Sequence, residues 1–327
     1  MNTLMIYGAL GYTGRMVAHN AKAAGLDVVI AGRDEARLAE LALELDVPFR
    51  VFSLEGDLSP GHFEGIHTVL NCAGPFVRTA NPLMQACLEQ GMHYLDITAE
   101  IGTYQLAESL SAAASEAGVM LMPGVGWDVV PTDSLAMQVV ERVKDPISLR
   151  IALKVAGGMS RGSAVSASEI VSAGILARVD GDLVPRPDAP SALFDFGDGL
   201  VDCFPLSFGD LITAWHSTGV RNIAMYVHVA GDGFPEGDLS LLPDGPTAEQ
   251  RDAHGAAAVV EVTSGDGTVT RAVIETVNGY SYTPLAAVEA ARRVLAGDVR
   301  PGFQTPARVF GHGFAETIEG TTVTHLP

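Results

Sequence analysis

The sequence predicts an α/β fold in two parts: a doubly wound parallel sheet over residues 1–130, then an α+β segment with a mostly antiparallel sheet. Three observations lead there. Short apolar runs alternate with helical patterns through the first part, as strand–helix–strand units require. Several of those runs are continuously apolar, which suits parallel strands buried on both faces. After residue 147 the runs lengthen and alternate between apolar and polar, and two of them flank "GDG", which reads as a hairpin turn. A chain of 327 residues, 47% hydrophobic, can fill two such cores at roughly 100–200 residues each.

The elements follow in order. Strands are expected at "LMIY" (4–7), "DVVIA" (27–31), "FRVF" (49–52), "TVLN" (68–71), "HYLDI" (93–97) and "VMLMP" (119–123), with helices at 13–24, 34–44, 79–90 and 102–117. In the second part the strands are "ISLRIALKVA", "IAMYVHVA", "AAAVVEVTSG" and "TVTRAVIETVNG", interrupted by helices near 163–178 and 209–216. Segments 180–191 and 231–254, rich in Pro, Gly and Asp, read as surface excursions. A helix at 284–296 and a turn-rich tail close the sequence.

Composition removes several function classes. The net charge of -19 disfavours nucleic acid and anionic membranes, which need basic surfaces. Three cysteines without a CxxC pair suggest neither a disulfide framework nor a zinc site. No run is long enough to span a bilayer and no signal peptide is visible, so a cytoplasmic, reducing compartment is expected. No metal is expected, because the nine histidines show neither HxxxH nor HExxH spacing. Tyr-x-x-x-Lys and GxSxG are absent, and three lysines in all (Lys22, Lys144, Lys154) make Schiff-base chemistry a poor fit.

The segment "LMIYGALGYTGR" carries the first functional signal. Gly8, Gly11 and Gly14 sit where the first strand turns into the first helix, whose opening residues include Tyr12 and Thr13. One glycine permits a tight turn, one lets a pyrophosphate approach the backbone, and one lets the helix pack on the sheet. The helix start adds N–H groups and partial positive charge. The second strand ends "IAGRD", with Gly32 and Arg33 where an NAD-binding domain usually has an acid. An arginine there can pair with a 2′-phosphate, which favours NADP(H) over NAD(H); the bland alternative is a solvated side chain beside a helix cap at Asp34.

Other strand ends supply polar candidates, since ligands of such sheets lie at the carboxyl ends of strands. "NCAGPF" offers Asn71, Ala73, Gly74 and Pro75 toward the nicotinamide half, or is a plain strand-to-helix turn. "YLDITAE" offers Asp96, Thr98 and Glu100, and "PGVGWDVVPTD" offers Trp127, Asp128 and Asp133; here Thr98 and Thr132 read equally well as helix caps.

Together, "GALGYTGR", "AGRDEARL", "NCAGPF", "YLDITAE", "PGVGWDVVPTD", "SRGSAVSASE", "GDLITAWHSTGVRNI" and "PGFQTPARVFG" resemble the saccharopine dehydrogenase-like oxidoreductase family, and within it the trans-acting enoyl reductase branch. Two departures are mild: "TAE" stands where "TGE" is usual, and "GWD" where "GFD" is. The resemblance implies an NADP-binding Rossmann domain (1–130), an inserted substrate and dimerisation domain (131–283), and a C-terminal helix and tail (284–327) that return to the first. It also implies hydride transfer to or from C=N or C=C bonds of a small organic substrate, in a homodimer. A non-catalytic NADP sensor or a true amino-acid imine reductase stays open beside it.

Catalytic candidates come from the second part as well as from Asp96. Arg161, with Gly162 and Ser163, opens a helix and reads as an anion site or as a solvated residue of a capped helix. His216, in the polar segment "GDLITAWHSTGVRN", reads as a general acid or as a packing histidine.

Overall fold

The computed structural model describes residues 2–56, 58–230, 238 and 241–326. The chain opens with β1 (Thr3–Tyr7), α1 (Tyr12–Ala23), β2 (Val28–Gly32), α2 (Glu35–Leu45), β3 (Phe49–Val51), β4 (Ile66–Asn71), α3 (Phe76–Gln90), β5 (His93–Asp96), α4 (Ile101–Ser109), α5 (Ser111–Glu116) and β6 (Met120–Met122). Next come α6 (Val130–Val140), β7 (Pro146–Val155), α7 (Arg161–Ser172), β8 (Leu176–Val179), β9 (Asp182–Pro185), β10 (Ala192–Asp195), β11 (Leu200–Pro205), α8 (Asp210–Thr218) and β12 (Ile223–Val229). The remainder is α9 (Ala248–Asp252), β13 (Ala256–Ser264), β14 (Val269–Thr276), α10 (Gly279–Leu295), β15 (Gly302–Phe303), α11 (Pro306–Phe310) and β16 (Thr322–Leu326).

The chain divides into two compact units. Unit 1 comprises residues 1–98, 102–126 and 283–304, and unit 2 comprises 99–101, 127–282 and 305–327. Unit 1 holds a seven-stranded sheet of order β15-β6-β5-β4-β1-β2-β3, parallel at every pairing. The order reverses beside β1, which places the carboxyl ends of β1, β2 and β4 together, the usual ligand edge of such a sheet. The central strands are apolar on both faces: Leu4, Met5 and Ile6, and Val69 and Leu70, are fully enclosed.

Unit 2 holds a nine-stranded sheet with the path β10-β11-β12-β7-β13-β14-β16, to which β8 and β9 add at β12. It is mixed, since β7 and β12 run parallel while the β7–β13–β14–β16 run is antiparallel. Helix α6 packs on β13 and β14, and α8 packs on α6 and β12. The alternation on these strands follows: Val260 and Val262 of β13 and Ala272 and Ile274 of β14 are buried, and the charged Glu261 and Arg271 point to the other face.

Some expectations change. Helix α3 starts at Phe76 rather than 79 and carries Pro82 inside it; a proline seven residues in leaves one carbonyl unpaired but does not stop the helix. The segment 180–191, expected to be an excursion, contains β9, which pairs with β8 around a left-handed Asp180 and Gly181. Of the excursion expected at 231–254, residues 231–237, 239 and 240 lie outside the described residues. Residues 283–304 belong to unit 1: Asn2 donates to the Leu295 carbonyl (2.7 Å), and β15 pairs with β6. The tail differs. β16 lies in unit 2 and pairs with β14 from Arg271–Leu326 to Glu275–Thr322, because its alternation completes that sheet's edge.

Candidate functional site

The glycine turn separates into two structural requirements and one open position. Gly8 has φ +84°, where side chains are strained, and a Cβ there would lie 2.8 Å from the Cβ and N of Ala73. A Cβ on Gly14 would collide with the Gly8 carbonyl oxygen, so α1 sits on the end of β1 only because residue 14 is glycine. Gly11 differs. Its backbone is extended (φ -70°, ψ 162°), and an added Cβ would meet only the Gly8 oxygen, at 3.4 Å. Packing alone does not explain this glycine. It is the residue before α1, and no side chain caps the helix there. First-turn N–H groups have no carbonyl one turn earlier, so this start suits an anion. Tyr12 and Thr13 form that turn and are half-buried.

Two arginines flank the turn, and of these, among the described residues, only Arg15 has an ion-pair partner. Arg15 pairs with Glu44 at 2.5 Å on the surface. Arg33, at the end of β2, is exposed, and its charge reaches Tyr7 at the end of β1, partly offsetting the rise that burial gives that phenol. Asp34 is taken up as the cap of α2, accepting from the Arg37 N–H (3.1 Å). The residues therefore fit an NADP-type dinucleotide: a turn with open backbone, a helix start, and a guanidinium at the strand that normally meets the ribose.

The third strand end is braced rather than open. The Asn71 amide donates to Thr79 Oγ1 (3.0 Å) and Tyr94 OH (3.1 Å), and its oxygen accepts the Ala73 N–H (3.0 Å). Its side chain, expected toward the ribose, is thus spent on the turn. Ala73, Gly74 and Pro75 follow, with Gly74 exposed and Pro75 preceding α3. Asp96, expected among the catalytic residues, is fully enclosed. One oxygen accepts the Tyr94 hydroxyl (2.9 Å), and the other accepts the N–H groups of Thr98 (3.0 Å) and Gly124 (2.9 Å). It ties the ends of β5 and β6 together beyond their last ladder bonds, which is a structural role.

Unit 2 has its own polar cluster. Ser160 caps α7 and accepts from Ser163, while its N–H donates to Tyr280 OH (2.8 Å). The buried Glu100 accepts the Ser166 hydroxyl (2.7 Å). Trp127 donates its indole N–H to Thr276 (2.8 Å) and packs against Gly279. Arg161, the first residue of α7, donates to the Leu242 carbonyl (3.1 and 2.8 Å) and pairs with Asp244 (3.1 Å). His216 is not in a loop. It lies in the last turn of α8, half-buried and edge-on to Trp215 (5.1 Å), because the helix runs on to the left-handed Gly219. Burial raises Asp128 to about 6. Among the described residues, no group of three or more His, Cys, Asp or Glu side chains is placed to hold a metal.

Residues 4–122 match the saccharopine dehydrogenase NADP-binding domain. The chain therefore carries a saccharopine dehydrogenase-type NADP-binding domain. A trans-acting enoyl reductase of Mycobacterium leprae is 30% identical over 151 residues, 43% of this chain and 36% of that protein. A probable mitochondrial saccharopine dehydrogenase-like oxidoreductase of Arabidopsis thaliana is 29% identical over 148 residues, 40% of this chain and 33% of that protein. The chain thus matches only about a third of the length of these curated relatives. A solved structure of saccharopine dehydrogenase (L-Glu forming) from Saccharomyces cerevisiae shares the fold, with a TM-score of 0.67 at 12% identity and 100% of both chains covered. No helix among the described residues is long and apolar enough to cross a membrane.

Proposed function

We propose that the chain is an NADP(H)-dependent oxidoreductase that transfers hydride to a C=C bond of enoyl type, or to a C=N bond, of a small organic substrate. The observation that carries this reading is Gly11, an open backbone position inside a turn that is otherwise closed by packing. The NADP-binding family of residues 4–122 gives that opening its ligand. In this reading the helix start at Gly11 holds the pyrophosphate and Arg33 the 2′-phosphate. The bound nicotinamide supplies the hydride, and the protein supplies orientation and dry surroundings. Relatives named trans-acting enoyl reductase favour the C=C bond.

Substrate recognition falls to unit 2 in this reading, with Trp127, Tyr280, and the Glu100–Ser166 pair as its contacts. His216 is the proposed proton donor and Tyr280 the next candidate. A general acid contributes about 10²–10⁴-fold to rate, so His216→Ala should lower kcat and leave the NADPH dissociation constant unchanged. The nine-stranded sheet is the proposed seat of a homodimer, and light scattering that gives a monomer at micromolar concentration would remove it.

The deciding experiment follows NADPH oxidation with a panel of enones and imines. Turnover of enones alone fixes the enoyl reading, and turnover of imines alone fixes the other. Tight NADPH binding without any turnover would favour a sensor.

A further inference from the structure

The ends of β4 and β5 carry polar side chains into the interior of unit 1. Asn71, Tyr94 and Asp96 are each fully enclosed. Asn71 is registered opposite Asp96, and Tyr94 lies two residues before Asp96, so the three side chains leave the same face of the sheet. Helix α3 packs against both strands and brings Thr79 to Asn71. Enclosed polar groups are costly unless each is paired.

The hydrogen bonds among these groups run in one direction. Asp96 Oδ1 accepts the N–H groups of Thr98 (3.0 Å) and Gly124 (2.9 Å), which fixes the carboxylate at the ends of β5 and β6. Its Oδ2 accepts the one proton of the Tyr94 hydroxyl (2.9 Å). Toward Asn71 the phenol oxygen can then only accept, and it does so from Nδ2 (3.1 Å). Asn71 Nδ2 also donates to Thr79 Oγ1 (3.0 Å), and the threonine's own proton goes to the Ala73 carbonyl (2.6 Å). Asn71 Oδ1 closes the circuit by accepting the Ala73 N–H (3.0 Å). A turned-over Asn71 amide would set its oxygen against two hydroxyls whose protons are spent, and its NH₂ against the Ala73 N–H. Only one orientation satisfies every member.

The chain ends on backbone groups. The Cys72 N–H still donates to the Tyr7 carbonyl of β1 (2.8 Å). One residue on, the N–H and the carbonyl of Ala73 are both held by side chains instead. Ala73 is also the wall against which the glycine turn rests, since a Cβ on Gly8 would meet its Cβ and N at 2.8 Å. The course of the chain into Gly74 and Pro75 is therefore set from Asp96, through Tyr94, Asn71 and Thr79.

We propose that Asp96, Tyr94, Asn71 and Thr79 are positioning residues that fix the Ala73–Pro75 turn for the nicotinamide half of the cofactor. The inference rests on the cofactor reading above, with the pyrophosphate at Gly11 and the nicotinamide half toward Gly74 and Pro75. The four side chains act through the backbone of that turn, of which Gly74 is exposed. The adenosine half lies toward β2, on the other side of β1 from β4, where the chain has no member. Its effect should fall on one half of the ligand.

Thr79→Val is the test. Thr79 is half-buried, and valine keeps its shape while removing the proton that holds the Ala73 carbonyl. Calorimetry compares NADPH with adenosine 2′,5′-bisphosphate, which lacks the nicotinamide half. The variant should bind NADPH about three- to tenfold more weakly, the worth of one neutral hydrogen bond, and bind the fragment as the wild type does. Thr79→Ser keeps the hydroxyl and should restore NADPH binding. Tyr94→Phe breaks the chain nearer its origin and should show the same split, so the comparison survives if Thr79→Val does not fold. Equal loss for both ligands, or loss for neither, in the folded variants would overturn the proposal. A wild type that does not bind NADPH would remove the cofactor reading, and this positioning role with it.

Discussion

The turn at Gly8–Gly14 and the carboxyl cluster of Asp128, Asp133 and Asp210 are opposite ways of handling charge. The first is made of backbone, stands partly open, and meets an anion with N–H groups and one exposed guanidinium. The second is made of side chains, is closed, and meets the negative charge of Asp133 with the Ser217 and Thr305 hydroxyls and one backbone N–H. The first needs a ligand to complete its hydrogen bonding, whereas the second is enclosed, with both Asp210 oxygens and one Asp133 oxygen unpartnered among the described residues. The contrast teaches that an open glycine and an unpartnered carboxyl ask different questions: one of what binds, the other of what ionises.

The sharpest break in that contrast comes inside the turn. Gly14→Val should damage the fold itself, because its side chain collides with the Gly8 carbonyl; overpacking of this kind costs about 3 kcal/mol. Thermal melting should show a large drop in Tm. Gly11→Val should leave the melting curve in place and weaken NADPH binding about a hundredfold, equivalent to roughly 3 kcal/mol of phosphate contacts. Calorimetry checks it, and normal NADPH affinity in a folded Gly11→Val protein would move the phosphate site elsewhere.

A pH contrast follows. His93 in unit 1 is buried and accepts the Met120 N–H on Nδ1 (3.1 Å), and burial, then the nearby His67, lower it to about 4. Its neutral form is the one that folds. That stabilisation is whole above about 6.5 and is lost as pH falls toward about 4, up to about 2–3 kcal/mol. His93→Gln should flatten the acid limb of a stability–pH curve and leave the curve above neutral pH unchanged. Amide exchange in acid should show unit 1 opening earlier in the wild type than in the variant.

Two smaller effects test the arginines. Arg33→Ala should lose about 10- to 100-fold in NADPH affinity, from one charge-assisted contact worth roughly 1.5–3 kcal/mol, and little in NADH affinity. Equal wild-type affinities for the two cofactors would remove the 2′-phosphate role. Arg15→Ala, two residues from Thr13 but paired with Glu44 on the surface, should change NADPH binding by less than about threefold and stability by about 0–1 kcal/mol.

The legible part of this protein was the local part. Three glycines, a strand and a helix lie within Leu4–Ala23, so their meaning is carried by spacing that can be read along the chain. The same holds for the strands of unit 1, whose apolar runs need no partner to be recognised. Asp96 and Asn71 read as site residues because strand ends hold ligands; nothing local reveals that Tyr94, Thr98, Gly124 and Thr79 take up their hydrogen-bonding groups. The polar neighbours of His216 hide how far α8 runs: the sequence predicts a helix to about 216, and it continues to Thr218 with Gly219 as its cap. The carboxyl cluster draws on α6, α8 and α11, and no spacing announces it. The short strands β8–β11 and β16 were missed for a similar reason: each is a few residues long, and pairing gives them their identity.

The return of α10 and β15 has a consequence for anyone who would cut this protein into modules. The stretch that matches the NADP-binding family ends at 122, yet the sheet it belongs to is finished by Gly302 and Phe303, with the N–H groups of Gly302 and Gln304 donating to the Val119 and Leu121 carbonyls. A fragment cut after β6 would leave that strand as a bare, wholly apolar edge. It would also uncover the surface that Ala286, Ala287, Ala290 and Val294 of α10 bury. Such an edge recruits other strands. The matched stretch is therefore not a portable cassette: grafted or expressed alone it should aggregate, and a circular permutant that joins 283–304 to residue 126 is the shorter route to an isolated cofactor-binding unit.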